Sequence, residues 1–201
     1  MNIIEFRGSA VNDRHIARAV EALERGEIVI YPTDTLYALG CDALNARAIE
    51  RLCRIKGINP DKNLLSIVCA DLSQAAEYAR IDNRAFRTLK DNLPGPFTFI
   101  LPADTRLPKV FKGRKSVGVR IPAHDVATAL AAALGHPVLT TSVEIADDAE
   151  AVEPASIAMH YADVASLLLD AGPGGIVPST IVDLTDSAAP EIVREGAGDL
   201  L

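Results

Sequence analysis

Hydrophobic positions along the chain change period repeatedly, and the changes lay out alternating strands and helices. Asp13–Arg25 puts Ile16, Val20 and Leu23 on one helical face and stops at Gly26. Ala46–Lys56 turns Ile49, Leu52 and Cys53 inward behind Asn45, a good N-cap residue. Leu72–Ala79 and Asn83–Asn92 read as two helices parted near Ile81-Asp82, and Val126–Leu134 as an Ala/Leu-rich helix ended by Gly135. Pro154–His160 has proline at the first helical position, where the missing N–H is harmless. Short apolar runs of strand length lie between: Ile3–Phe6, Glu27–Tyr31, Leu64–Cys69, Phe97–Leu101, Val117–Ile121, Val138–Ser142, Val164–Leu169, Thr180–Leu184 and Ile192–Arg194. An acidic loop is expected after Ser142. This alternation predicts an α/β fold with flanking helices. No clear helix separates Phe97–Leu101 from Val117–Ile121, so the sheet should be mixed.

Composition narrows the class. A chain of 201 residues with 49% hydrophobic content has enough apolar surface for one sizeable core, and no linker or repeat divides it, so residues 1–201 are expected to form a single domain. No apolar run reaches the length of a membrane span, and the N-terminus has no basic region followed by an apolar core. Cys41, Cys53 and Cys69 are odd in number and form no Cys-x-x-Cys pair; they read as buried reduced thiols. A cytoplasmic protein without membrane contact is the expectation. The four histidines are scattered without ligand spacing, so no metal site and no prosthetic group are expected.

The net charge of −7 argues against a life spent on nucleic acid, yet the charge is uneven. Arg47, Arg51, Arg54, Lys56 and Lys62 form one basic stretch, and Arg106, Lys109, Lys112, Arg114, Lys115 and Arg120 another, while acidic residues gather late, from Asp147 to Asp170. One positive face on an acidic protein is compatible with this pattern, as is ordinary solvated surface.

The most informative segment is Tyr31-Pro32-Thr33-Asp34-Thr35-Leu36-Tyr37-Ala38-Leu39-Gly40. It follows a β-branched strand that Pro32 ends for want of an N–H. Two hydroxyls and a carboxylate just past a strand's carboxyl end stand where open α/β sheets place ligand contacts. The plainer reading is a polar turn with Asp34 or Thr35 capping the next element. The segment resembles the opening motif of the YrdC-like family. Further matches follow in the family's order: Lys56-Gly57, Pro94-Gly95-Pro96-Phe97-Thr98-Phe99, Gly118-Val119-Arg120-Ile121-Pro122, Thr140-Thr141-Ser142, Ser179-Thr180-Ile181-Val182-Asp183-Leu184 and Arg194-Glu195-Gly196. The run Arg51–Ile55, Cys69–Ser73 and Thr98–Leu101 look most like its YciO branch.

The resemblance implies a twisted mixed sheet with a concave basic face, and an activity that joins ATP, threonine and bicarbonate into threonylcarbamoyl-adenylate for a tRNA modification. ATP, with Mg²⁺ arriving on it, and a small amino acid are then the implied ligands. The resemblance assigns Lys56 and Ser142 to the chemistry. Thr35, Arg120, Thr140 and Ser179 fall to the amino-acid substrate, and Lys56, Lys62, Ser142 and Arg194 to the nucleotide. An arginine such as Arg120 suits a carboxylate through its guanidinium fork, and a lysine such as Lys56 suits phosphate as a point charge. Read without the family, Lys56 is a helix-end lysine favoured by the dipole, Lys62 a loop lysine, and the hydroxyls turn formers. The family's association with double-stranded RNA implies the alternative, a double-stranded RNA or tRNA binder without synthase activity. Its binding would be read by shape and weakened by salt.

Two positions depart from the synthase pattern. Lys-x-Arg reads Lys56-Gly57-Ile58, and Ser-x-Asn reads Ser142-Val143-Glu144. One change removes a cation and the other adds an anion. If both face the ligand, local charge falls by two units, enough to weaken ATP binding by orders of magnitude. A synthase of weak or altered activity is therefore expected.

Overall fold

The computed structural model describes residues 1–6, 11–59, 62–108, 111 and 115–201. Ten strands form one mixed sheet: β1 (Asn2–Glu5), β2 (Val29–Tyr31), β3 (Ala38–Asp42), β4 (Ser66–Val68), β5 (Phe97–Pro102), β6 (Ser116–Arg120), β7 (Val138–Ser142), β8 (Leu167–Asp170), β9 (Thr180–Asp183) and β10 (Glu191–Arg194). Their order across the sheet is β1-β8-β2-β3-β7-β4-β6-β5-β9-β10. β8 is parallel to both its neighbours, as β4 is to β6 and β5 to β9; the other pairings are antiparallel. Among the described residues there are seven α-helices: α1 (Asp13–Glu24), α2 (Ala46–Lys56), α3 (Leu72–Tyr78), α4 (Asn83–Asn92), α5 (Asp125–Leu134), α6 (Asp148–Val152) and α7 (Pro154–His160).

Successive strand residues feed two cores, as the period of a β-strand requires. Ile28, Ile30, Leu39, Ile67, Val119, Leu139 and Leu168 meet Ile49 and Leu52 of α2, Leu89 of α4 and Ile157 of α7. Val29, Tyr31, Ala38, Val68, Val138, Leu167 and Leu169 meet Ile16 and Leu23 of α1 and Val126 and Leu130 of α5. Caps close the helices as the residue types dictate. Asn45 accepts from the Ala48 N–H, Asp82 from Arg84 and Ala85, and Gly57 ends α2 in the left-handed region at φ 65°. Among the described residues no helix is long and apolar enough to cross a membrane.

Several sequence expectations need correction. The polar segment after β2 caps no helix: it is the bend into β3, a strand the hydrophobic pattern does not announce. Gly40 makes β3 possible, since a Cβ there would lie 2.6 Å from the Tyr31 ring and 2.7 Å from Val138. The acidic loop after Ser142 contains α6, whose N–H groups Ala149 and Glu150 are capped by Asp147. The run expected as a strand from Val164 begins pairing only at Leu167, because the Val164 and Ala165 N–H groups both turn back to the Tyr161 carbonyl. Likewise β2 starts at Val29 and β4 spans only Ser66–Val68.

His124 caps α5 through Nδ1, which accepts from the Val126 N–H at 3.3 Å. Burial pushes its pKa below the ordinary 6.5, against the smaller opposing pull of Asp125 and Asp34. The unfolded chain therefore takes up the proton more readily. The stabilisation is complete above the unfolded-state value and is lost as pH falls through it toward the lower folded-state value. Between about pH 7.5 and about pH 5.5 the wild type should lose more melting temperature than His124→Asn, which keeps a capping oxygen without titrating. Equal losses in thermal melts would contradict this.

Candidate functional site

One face of the sheet is only partly roofed by α1 and α5. Gly40, Thr140, Ser66 and Gly118 stand in a single cross-strand row. They share the face of Val138 and Val68, but lie beyond the residues that the helices cover. These side chains are small or hydroxylic, so the row leaves a depression. At Gly118 a Cβ would run into Ser66 Oγ, which fixes glycine there. The resulting cleft, about 150 Å³, is lined by Thr35, Ser66, Thr98, Arg120, Thr140, Thr141, Ser142, Ser179 and Arg194 among its polar groups, with Leu36, Ile58, Pro178 and Ile181 among its apolar ones.

Arg120, at the end of β6, is the electrostatic centre of this cleft. Its side chain and that of Asp34 are each only 10% exposed. Nη2 donates to Asp34 Oδ1 at 3.1 Å and to Thr35 Oγ1 at 3.0 Å, whereas Nε is buried with no partner. Burial lowers the guanidinium pKa, and Asp34 opposes that shift. Asp34 spends its other oxygen on the Ala123 N–H at 2.9 Å, which ties the bend to the start of α5. Within the bend, Thr33 Oγ1 donates to the Leu36 carbonyl at 2.7 Å and accepts from the Thr35 N–H at 3.1 Å. The Tyr31 hydroxyl donates to Thr140 Oγ1 at 2.8 Å, and burial lifts its pKa to about 12.

On the other wall, Thr98 and Ser179 share a hydrogen bond of 2.9 Å. Arg194 Nη2 donates to the Ser179 carbonyl at 2.6 Å. Burial lowers the Arg194 pKa. No carboxylate among the described residues pairs with this guanidinium.

Six of the residues singled out in the sequence therefore line one cleft: Thr35, Arg120, Thr140, Ser142, Ser179 and Arg194. Lys56 and Lys62 do not. Lys62 is an exposed loop residue whose backbone N–H turns to the Asn59 carbonyl. Lys56, at the end of α2, has a side chain only 5% exposed; its Nζ lies 2.9 Å from Glu144 Oε1 and donates to the Ser142 carbonyl at 2.9 Å. Glu144 thus meets the lysine itself, while Ile58 lines the cleft. Ser66 and Thr98 are site groups that the sequence does not single out, and Asp34, noted there as the carboxylate past β2, takes its role from its contact with Arg120. The signal was present at Ser66, the lone hydroxyl in an apolar run, and at Thr98, which alternates with Phe97 and Phe99.

Of the basic stretches, Arg47, Arg51, Arg54 and Lys62 are exposed, and Arg106 pairs with Glu77 at 2.6 Å. Lys109, Lys112 and Arg114 lie outside the described residues.

This fold and cleft place the protein among the Sua5/YciO/YrdC proteins. The model of that family, described as telomere recombination, matches residues 21–196, and the chain belongs to it. YciO of Escherichia coli (strain K12), an uncharacterised protein, is 40% identical over 190 residues, which is 93% of this chain and 91% of that one. The E. coli YciO crystal structure matches with a TM-score of 0.90 and 36% identity, covering 99% of this chain and 98% of that chain. A threonylcarbamoyl-AMP synthase of Halorhodospira halophila (strain DSM 244 / SL1) is 34% identical over 163 residues, 80% of this chain and 85% of that one. The crystal structure of P. abyssi Sua5 complexed with L-threonine gives a TM-score of 0.86 at 31% identity, covering 98% of this chain and 58% of that chain. The protein is a YciO-like member of the family, related to the threonylcarbamoyl-AMP synthases.

The two ion pairs should respond differently to mutation. Arg120→Met leaves Asp34 charged and buried, so urea unfolding should show a loss of about 3–5 kcal/mol. Glu144→Gln touches a carboxylate that is 74% exposed and should cost less than ~1 kcal/mol. Similar losses in the two variants would contradict the assignment of Arg120 as the structural centre.

Proposed function

We propose that the cleft holds a nucleotide and a small amino acid side by side, as an enzyme of the carbamoyl-adenylate class, with weak use of ATP. The observation that carries this reading is the buried Arg120 guanidinium in a cleft whose polar lining is otherwise hydroxyls and Arg194. A guanidinium fork suits a carboxylate, and the hydroxyls around it can donate to or accept from a small amino acid. Thr35 and Thr140, which line the same cleft, would orient the amino acid. Ser142 and Arg194, also in the lining, would meet the phosphate. The L-threonine complex of the related Sua5 supports an amino-acid ligand.

In such a reaction the amine of threonine and bicarbonate give a carbamate with loss of water. A carbamate oxygen then attacks the α-phosphorus of ATP, and pyrophosphate leaves. The chain's part is to hold the carboxylate on Arg120, align the carbamate, and offset charge on the phosphate oxygens. Mg²⁺ would enter on the triphosphate. Lys56 is engaged by Glu144, and Ile58 adds no cation, so the leaving pyrophosphate has little to balance it.

Pyrophosphate release dependent on ATP, threonine and bicarbonate tests this. The wild type should be slow beside a family synthase, and Ile58→Arg/Glu144→Asn should raise the rate by ~10-fold or more. Arg120→Lys should weaken threonine binding in calorimetry by ~10-fold, because a lysine cannot supply the fork. A wild type as fast as the synthase would overturn the weak use of ATP. Absence of both threonine and nucleotide binding would overturn the reading itself.

A further inference from the structure

We propose that Glu144 is an internal counter-anion that sets how much phosphate charge the cleft accepts, and that Tyr161 is the positioning residue that keeps it there. The ligand class selected is a nucleotide with a single phosphate charge, a phosphodiester or acyl-type adenylate, in preference to a polyphosphate. This rests on the reading of the cleft as a nucleotide site.

The charges at the cleft carry the argument. Arg120 is matched by Asp34, and Lys56 by Glu144 at 2.9 Å. Arg194 lines the cleft and pairs with no carboxylate among the described residues. One uncompensated cation suits one phosphate charge. Further phosphate charges would have to displace Glu144 from Lys56 or lie against it, and like charges at such separations repel by an amount that spans orders of magnitude in affinity.

Glu144 is not a loose surface residue that could step aside without cost. Its carboxylate is 74% exposed, so its place beside Lys56 depends on where its backbone is held. Tyr161, the buried residue that ends α7, holds that backbone from both sides. Its hydroxyl donates to the Glu144 carbonyl at 3.0 Å and accepts from the Glu144 N–H at 3.0 Å. The Ser142 carbonyl accepts a hydrogen bond from the same lysine, which places Lys56 Nζ at the strand end beside a residue that lines the cleft. The arrangement joins α2, β7 and α7 around one ion pair.

The test is a ladder of charge on a constant adenosine: adenosine 5′-monomethyl phosphate, AMP and ATP, titrated by calorimetry without added divalent cation. The wild type should bind the methyl ester at least as tightly as AMP, and ATP most weakly. Glu144→Gln should tighten ATP by ~10-fold or more while moving the methyl ester by less than ~2-fold. Tyr161→Phe keeps the packed ring but loses both hydrogen bonds, and should tighten ATP relative to the ester by a few fold. A merely structural tyrosine would move all three ligands together. Wild-type preference for ATP, or equal shifts across the ladder in Glu144→Gln, would overturn the counter-anion. An unchanged ATP-to-ester ratio in Tyr161→Phe would remove the positioning role. Failure of every variant to bind any rung would overturn the nucleotide reading together with this inference, whereas binding with an unaltered ladder overturns this inference alone.

Discussion

The cleft depends on one buried guanidinium. Arg120 ends the strand β6, yet its fork reaches the bend that begins with Thr33, and through Asp34 that bend reaches the start of α5. A charge so deeply placed is tolerable only with a partner and hydrogen bonds, and Asp34 and Thr35 supply part of what it needs. The remainder, Nε, is buried without a partner. Local strand structure and the polar bend are thus tied to the same residue.

Around Arg120 the sheet supplies shape. Helices α1 and α5 cover the apolar end of the row that runs through Val68 and Val138, and the polar end stays open. Gly118 and Ser66 make the floor low, and Thr98, Ser179 and Arg194 make a hydrogen-bonded wall. Two positions depart from the Lys-x-Arg and Ser-x-Asn pattern of the synthases. Ile58 contributes apolar surface, and Glu144 takes up the lysine. Together with the likeness to threonylcarbamoyl-AMP synthases, this supports the proposal of a related cleft suited to less anionic ligands.

Much of this was legible in the sequence because it is local. The periodic helices α2 and α4, the strand β7 and the helix α7 fall where period and punctuation place them. β3 escaped because Ala38-Leu39-Gly40-Cys41-Asp42 has no β-branched residue, and its place between β2 and β7 is decided by partners far along the chain. α6 escaped because a five-residue helix rests on a single Asp cap rather than on an apolar face. In the site, ordered motifs pointed to Thr35, Arg120, Thr140, Ser142, Ser179 and Arg194. They did not show that Lys56 is engaged by Glu144, since that pairing joins residues brought together only by α2 packing near the end of β7. Asp34 was visible as a residue, but its role depends on a contact with Arg120 that no local pattern encodes.

The most direct measurement is a crystal structure with a non-reactive threonyl-adenylate analogue soaked into the protein. The account predicts the ligand in this cleft, its amino-acid end on Arg120, its phosphate-like group near Arg194, and Lys56 still paired with Glu144. An empty cleft, or a ligand that draws Lys56 away from Glu144 onto its phosphate-like group, would contradict it.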